Sequence, residues 1–159
     1  MNRGFFGVGI WYPTNEMNVG TLWRSAFAFG AAFVFTIGRR YKKQCTDTAC
    51  STRHVPCFNY SDLEDFNRHR PLDTPLVVIE LAGHAESLPA FVHPERAVYL
   101  LGSEGGGLPT SLLSKNQVVE IPSSFCLNVA VAGSIVLYDR ASKMKRGGQH
   151  EVCREVCRA

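Results

Sequence analysis

Leu76-Val-Val-Ile-Glu80 and Ala97-Val-Tyr-Leu-Leu101 are continuous rather than alternating runs, and no other feature narrows the possible folds so far. A strand with one face in water alternates apolar and polar residues; a strand covered on both faces does not. Unbroken runs therefore belong to parallel sheets with helices on either side. Residues 5–11, 32–37 and 118–121 repeat the pattern, and 55–58 is a shorter candidate. Helical spacing fills the gaps. Val19, Leu22, Trp23, Ala26 and Phe29 recur at helical intervals, and Gly30 stops them. Ser61-Asp-Leu-Glu64 has the spacing of a capping box and opens a short helix toward His69. Residues 108–113 form a short helix with Pro109 in its first turn, where proline is tolerated. Residues 128–144 form a long one, with Val129, Ala132, Gly133 and Val136 on one face and Gly147-Gly148 beyond its end. The alternation predicts an α/β fold with a mostly parallel sheet flanked by helices.

The chain has 159 residues, enough for one domain with a real core and too few to expect two. We expect that domain to span residues 1–146 and to leave 147–159 as a tail. With 45% hydrophobic and 19% charged residues the composition is that of a globular protein, and no run approaches the ~18 apolar residues of a membrane span. The start, basic and then apolar, reads as a buried first strand because no small-residue cleavage site follows Tyr12-Pro-Thr-Asn15.

Six cysteines are present, but without a secretion signal they read as reduced thiols in a cytoplasmic protein. A zinc site at His150, Cys153 and Cys157 lacks a CxxC pair and a fourth ligand nearby, so no metal is expected. The net charge of +3 is compatible with an anionic partner without announcing one. Basic clusters lie at 39–43, at 68–70 and at 143–146; the last two read as helix C-termini favoured by the macrodipole.

In an open parallel sheet, ligands bind beyond the carboxyl ends of the strands. Three stretches fall there. After Leu101, Gly102-Ser-Glu-Gly-Gly-Gly107 lets backbone approach a ligand without side chains in the way, and Glu104 is its acid. It is not a P-loop, because no Lys-Ser/Thr follows, and Gly7-Val-Gly9 lacks the third glycine of a dinucleotide fingerprint. Asn18 and Arg24 begin the first helix, and Arg24 offers a planar charged fork suited to phosphate or carboxylate. Asn128 stands where an N-cap of the long helix belongs. Each of these residues also has an ordinary structural reading: flexible glycine turn, solvated acid, surface arginine, helix cap. Cys126 reads as an inert thiol, with no histidine beside it.

With these stretches in order, the chain resembles the SpoU branch of the SPOUT RNA methyltransferases over roughly residues 5–144. Asn18-Val-Gly-Thr-Leu-Trp-Arg24 is similar to the first motif of that family, Leu101-Gly-Ser-Glu-Gly-Gly-Gly-Leu-Pro109 to the second, and Ile121-Pro122 with Leu127-Asn128-Val129 to the third. The resemblance implies ribose 2′-O-methylation of tRNA or rRNA with S-adenosylmethionine. It assigns catalytic roles to Arg24, Asn18, Glu104 and Asn128, and cofactor contacts to Ile79, Leu101, Gly102, Ile121, Cys126 and Leu127. It also implies an α/β trefoil knot in which the chain from about Ile121 threads a loop, and a homodimer packed through the last helix. The compact relatives suggest the wobble nucleotide of a tRNA anticodon loop as substrate. Two positions depart from the family: Cys126 stands where serine is usual, and 123–125 is shorter than the usual loop. Two alternatives compete with the enzyme: a non-catalytic RNA- or cofactor-binding module, and a generic nucleotide-binding protein using Gly105 to Gly107.

Overall fold

The structure is a computed structural model and describes residues 4–41, 51–103 and 105–145. The tail expected beyond residue 146, four of the six cysteines and Glu104 lie outside them.

Seven strands form one sheet: β1 (Phe5–Trp11), β2 (Phe33–Ile37), β3 (Cys57–Tyr60), β4 (Leu76–Ile79), β5 (Glu86–Ser87), β6 (Arg96–Leu101) and β7 (Gln117–Glu120). Their order is β3-β2-β1-β6-β4-β7-β5, and every pairing is parallel. The α/β class read from the unbroken runs is thus the observed one. Helices α1 (Glu16–Phe29) and α4 (Val129–Lys145) lie with one apolar core, α2 (Leu63–His69) and α3 (Thr110–Lys115) with a second. In β1 the two cores are sorted by parity, since Phe6, Val8 and Ile10 join the first while Phe5 and Trp11 pack against the second. The intervening Gly7 and Gly9 leave room for the rings of Phe33 and Phe35, which a Cβ would strike. Close packing of rings is therefore what these two glycines serve.

Some boundaries differ from the sequence reading. The third strand is Cys57–Tyr60 rather than 55–58, because it pairs with β2 in the register Val34↔Cys57 to Ile37↔Tyr60. The cap of α2 falls one residue later than the capping box predicts: Asp62 accepts the Asp65 N–H at 2.8 Å, and the Asp65 carboxylate reaches back to the Ser61 N–H. Strand β5 was not foreseen, and α3 begins at Thr110 with Pro109 as its cap residue. α1 opens at Glu16 behind the Asn15 cap, and Gly30 ends it at φ +79°, as the stop predicted.

α4 is held at both ends. Near its start, Ser134 Oγ and Ser25 Oγ stand 2.7 Å apart, and a Cβ on Gly133 would overlap a methyl of the fully buried Leu22. Toward its end lies a buried polar chain. Arg140, 1% exposed, donates to the carbonyls of Pro94 and Glu95 and to the Tyr99 hydroxyl, with its guanidinium 4.6 Å from the Phe6 ring centre. Tyr99 contacts His93 Nδ1 at 2.6 Å, and His93 Nε2 meets Asp139 at 2.8 Å. The only assignment that satisfies every partner is a neutral His93, accepting from Tyr99 and donating to Asp139. Burial is the main cause that lowers the His93 pKa; the bond to Asp139 opposes it. Lys143 stands in the last turn of α4, as the basic cluster there suggests. It bonds Asp139 and the carbonyls of Leu88 and Phe91.

After β7 the chain turns back across the ends of β4 and β6 to reach α4, which packs on α1 and β6. No helix among the described residues is long and apolar enough to cross a membrane.

Candidate functional site

The carboxyl ends of β4, β6 and β7 open into a cleft of about 790 Å³, within the roughly 300–1,000 Å³ typical of small-molecule sites. Its walls come from three segments far apart in the chain. Ile79, Glu80 and Leu81 leave β4; Leu101 to Ser103 and Gly105 to Gly107 follow β6; Ile121, Ser123 and Cys126 to Val129, with Ala132, form the return to α4.

Each segment has a local reason for its shape. The glycine loop closes on itself, the Gly107 N–H donating to the Ser103 carbonyl at 3.4 Å, with Gly107 at φ +61° and Leu108 buried as its anchor. Glu80 braces the loop from the neighbouring strand: one carboxylate oxygen accepts the Leu81 N–H at 3.1 Å, and the other lies where a Cβ on Gly102 would have to stand. In the return segment, the Ser123 hydroxyl donates to the Phe125 carbonyl at 2.9 Å, holding a tight bend that leaves the Phe125 ring 86% exposed at the lip. Asn128 then starts the helix. Its Oδ1 accepts from the N–H groups of Ala130 and Val131, and its Nδ2 donates to Asn18 Oδ1 at 3.1 Å.

All six residues expected at a cofactor line this cleft: Ile79, Leu101, Gly102, Ile121, Cys126 and Leu127. Asn128 lines it too, and Asn18 stands directly behind Asn128. Arg24 does not. It is exposed on α1, and six residues on from Asn18 its side chain leaves the helix about 120° away from that of Asn18. Among the described residues it forms no ion pair. Glu104 lies outside the described residues, between loop ends that belong to the wall. Among the described residues no cluster of metal ligands is found.

The sequence reading missed Glu80, the carboxylate in the described lining. A glutamate just past a strand carries no spacing signal; its importance comes from Gly102, which only strand pairing puts beside it.

The arrangement suits a flat, partly apolar ligand with polar groups along one edge. Ile79, Leu101, Ile121, Leu127, Val129 and Ala132 can cover a ring, the glycine backbone can satisfy ring nitrogens and carboxylate, and Glu80 can accept from hydroxyl or ammonium groups. Cys126 is an exposed free thiol there, whereas the Cys57 thiol is pushed up to about 12 by burial.

Comparison with known proteins bears on this geometry. The model of the SpoU rRNA Methylase family matches residues 6–138. A search of curated proteins gave no match. Among solved structures, a protein studied for the 2-OH methylation of C/U34 on tRNA superposes with a TM-score of 0.77 at 21% identity, over 91% of this chain and 99% of that one. AviRb from Streptomyces viridochromogenes, a SpoU methyltransferase, superposes with a TM-score of 0.78 at 24% identity, over 90% of this chain and 61% of its own. An AdoMet-bound rRNA methyltransferase from Sinorhizobium meliloti gives 0.77 at 26%, over 92% of this chain and 58% of its own. This chain thus spans about three fifths of the latter two proteins.

Proposed function

The chain belongs to the SpoU rRNA Methylase family, and from that premise we propose that it is an RNA methyltransferase acting on a ribose 2′-hydroxyl, with S-adenosylmethionine as donor. When bound, that cofactor would supply a methyl group on a sulfonium: the carbon–oxygen bond forms as the methyl–sulfur bond breaks, the donor leaves as a neutral thioether, and the hydroxyl proton is released to solvent. The observation that carries the reading is the cleft: six positions expected at a cofactor converge on one slot from three separate segments.

In such a transfer most of the help a protein can give is positioning. The walls of the cleft would hold the donor beside the glycine loop, where Glu80 can accept from its hydroxyl or ammonium groups. Asn128, fixed by Asn18 from behind and by the helix it caps, sets the floor of the site. Arg24, outside this lining, binds a phosphate beside the target ribose. A guanidinium is permanently charged, so it orients the hydroxyl rather than taking its proton.

A second copy completes the site. Met17 and Arg24 on α1, with Val131 and Tyr138 on α4, are exposed, and the Phe29–Tyr138 ring contact joins the two helices into one surface. A homodimer through this face covers the apolar residues and carries Arg24 toward the partner's cleft. We propose a cytoplasmic protein, as its free thiols suggest, with a trefoil knot made by the return of the chain from β7 to α4.

The substrate reading follows the relative studied on C/U34 of tRNA, which matches over nearly its whole length. The test has two parts: calorimetry with S-adenosylmethionine, and transfer of radiolabelled methyl to unfractionated tRNA and to rRNA, followed by mapping of 2′-O-methyl sites. Labelling of tRNA supports the proposal and labelling of rRNA alone moves the substrate. Binding without transfer to either RNA favours a non-catalytic module.

A further inference from the structure

Tyr12 is a bulky side chain on a left-handed backbone, φ +43°, immediately after β1. L-residues of this size rarely adopt such angles, and they persist where the surroundings enforce them. Here the enforcement is visible. The Tyr12 N–H donates to the Ile37 carbonyl at 2.8 Å, and the ring rests on Gly38, which has no side chain and itself sits at φ +83°. The Trp11 ring, 5.1 Å away, blocks a second side. What remains is a fixed aromatic surface, 42% exposed, whose hydroxyl bonds no described residue.

Two cations follow the end of β2. Arg39 and Arg40 are exposed and have no ion pair among the described residues. Their backbone is pinned on both sides, by the Gly38 N–H on the Tyr60 carbonyl and by the Tyr41 N–H on Asn59 Oδ1, each at 2.9 Å. Register places the group. Ile10 pairs with Leu101, and Trp11 with Ile37, so Tyr12 stands beside the segment that enters the cleft wall and the arginines stand one strand further out. Parallel strands are about 4.8 Å apart, so the Tyr12 backbone lies one strand from the cleft wall, with its ring leaning over Gly38 on the β2 side.

We propose that Tyr12 is a stacking platform for an unpaired base of the RNA substrate, next to the target nucleotide, and that Arg39 and Arg40 take the phosphates that follow it. The assignment rests on the RNA reading above and names where the strand runs. A base of any identity offers a face to an aromatic ring, and a guanidinium fork matches a phosphate. The two exposed arginines favour an anionic polymer over a second copy of this chain, whose net charge of +3 is likewise positive.

The test uses the full chain and two probes, fluorescein-labelled oligouridylate and unfractionated tRNA. Tyr12→Phe retains wild-type affinity for both. Tyr12→Leu, and Tyr12→Asn as a variant that tolerates the left-handed backbone, bind roughly 5- to 150-fold more weakly, the loss expected for one stacked base. Affinity for S-adenosylmethionine stays within about twofold. Arg39→Gln with Arg40→Gln lowers the slope of log affinity against log salt by about 1.4, at roughly 0.7 for each phosphate contact on a single strand. Wild-type RNA affinity in Tyr12→Leu and Tyr12→Asn overturns the platform, and so does a loss in Tyr12→Phe equal to theirs. Unchanged RNA binding with altered sedimentation makes the face a contact between copies and overturns it as well. Wild-type protein that binds S-adenosylmethionine but neither RNA overturns the RNA reading itself, which separates the two failures.

Discussion

Asn128 donates from Nδ2 to Asn18 Oδ1 at 3.1 Å while its Oδ1 accepts the Ala130 N–H at 2.9 Å, so one amide both caps α4 and ties it to α1. The two functions can be separated. Asn128→Asp keeps the acceptor for the helix and loses the donor, setting a carboxylate against the Asn18 oxygen; Asn128→Ala loses both. We expect the alanine variant to lose about 1–2 kcal/mol of stability in urea unfolding, the usual cost of a lost cap. The aspartate variant keeps more of that stability and still loses most methyl transfer. Equal transfer by aspartate and wild type would show that the tie to Asn18 has no part in the reaction.

Arg24 stands outside the cleft, so its removal should not disturb the cofactor. Arg24→Ala is expected to bind S-adenosylmethionine within about twofold of wild type and to lose at least tenfold in kcat/KM for RNA, about 1.4 kcal/mol of transition-state stabilisation or more. Arg24→Lys recovers little, because a point charge lacks the fork. Calorimetry and initial rates check the two halves. Near-normal turnover in Arg24→Ala would remove it from the mechanism.

His93 gives the fold a pH dependence whose sign follows from its burial. The folded pKa lies below the ordinary value near 6.5, so the unfolded chain binds the proton more readily. The stability that neutral His93 contributes is complete above that value. It is lost as pH falls from about 6.5 toward the lowered folded value, and it changes no further below. Urea midpoints between pH 7.5 and 5.5 should therefore decline for wild type and decline less for His93→Gln. Parallel curves would rule out His93 as the cause.

The two described thiols should differ in reactivity. Cys126 is exposed in the cleft, whereas burial pushes Cys57 up to about 12 and holds it as the unreactive thiol. Iodoacetamide at pH 8, read by peptide mass spectrometry, is expected to label Cys126 well ahead of Cys57. S-adenosylhomocysteine should slow the Cys126 reaction alone. Cys126→Ser, which restores the hydroxyl usual in the family, tests whether the departure alters transfer.

Much of this was legible in the sequence, for reasons that differ by element. The runs at 76–80 and 97–101 announced buried parallel strands because nothing else tolerates continuous apolar side chains on both faces, although β4 itself ends at Ile79. The Gly30 stop and the Asn128 cap were equally readable, being local chemistry of a helix end. β5 was not, because Glu86 and Ser87 are polar and become a strand only where β7 offers them an edge. The carbonyl partners of Lys143 were out of reach for a similar reason, since Leu88 and Phe91 lie more than fifty positions earlier. In the site, the cofactor positions could be named because the glycine loop and the bend before α4 have distinctive composition. Glu80 and Tyr12 could not, since their meaning comes from Gly102 and Gly38 on neighbouring strands.

The return of the chain across β4 and β6 supplies the last wall of the cleft, and this couples occupancy to completion. A nascent or partly unravelled polypeptide without that crossing presents only two walls and has nothing with which to grip a donor. Whatever binds there selects the finished molecule, favouring it by about 2.7 kcal/mol when free ligand stands at a hundred times Kd. In a cell rich in donor, the ligand would act as a ratchet against unthreading.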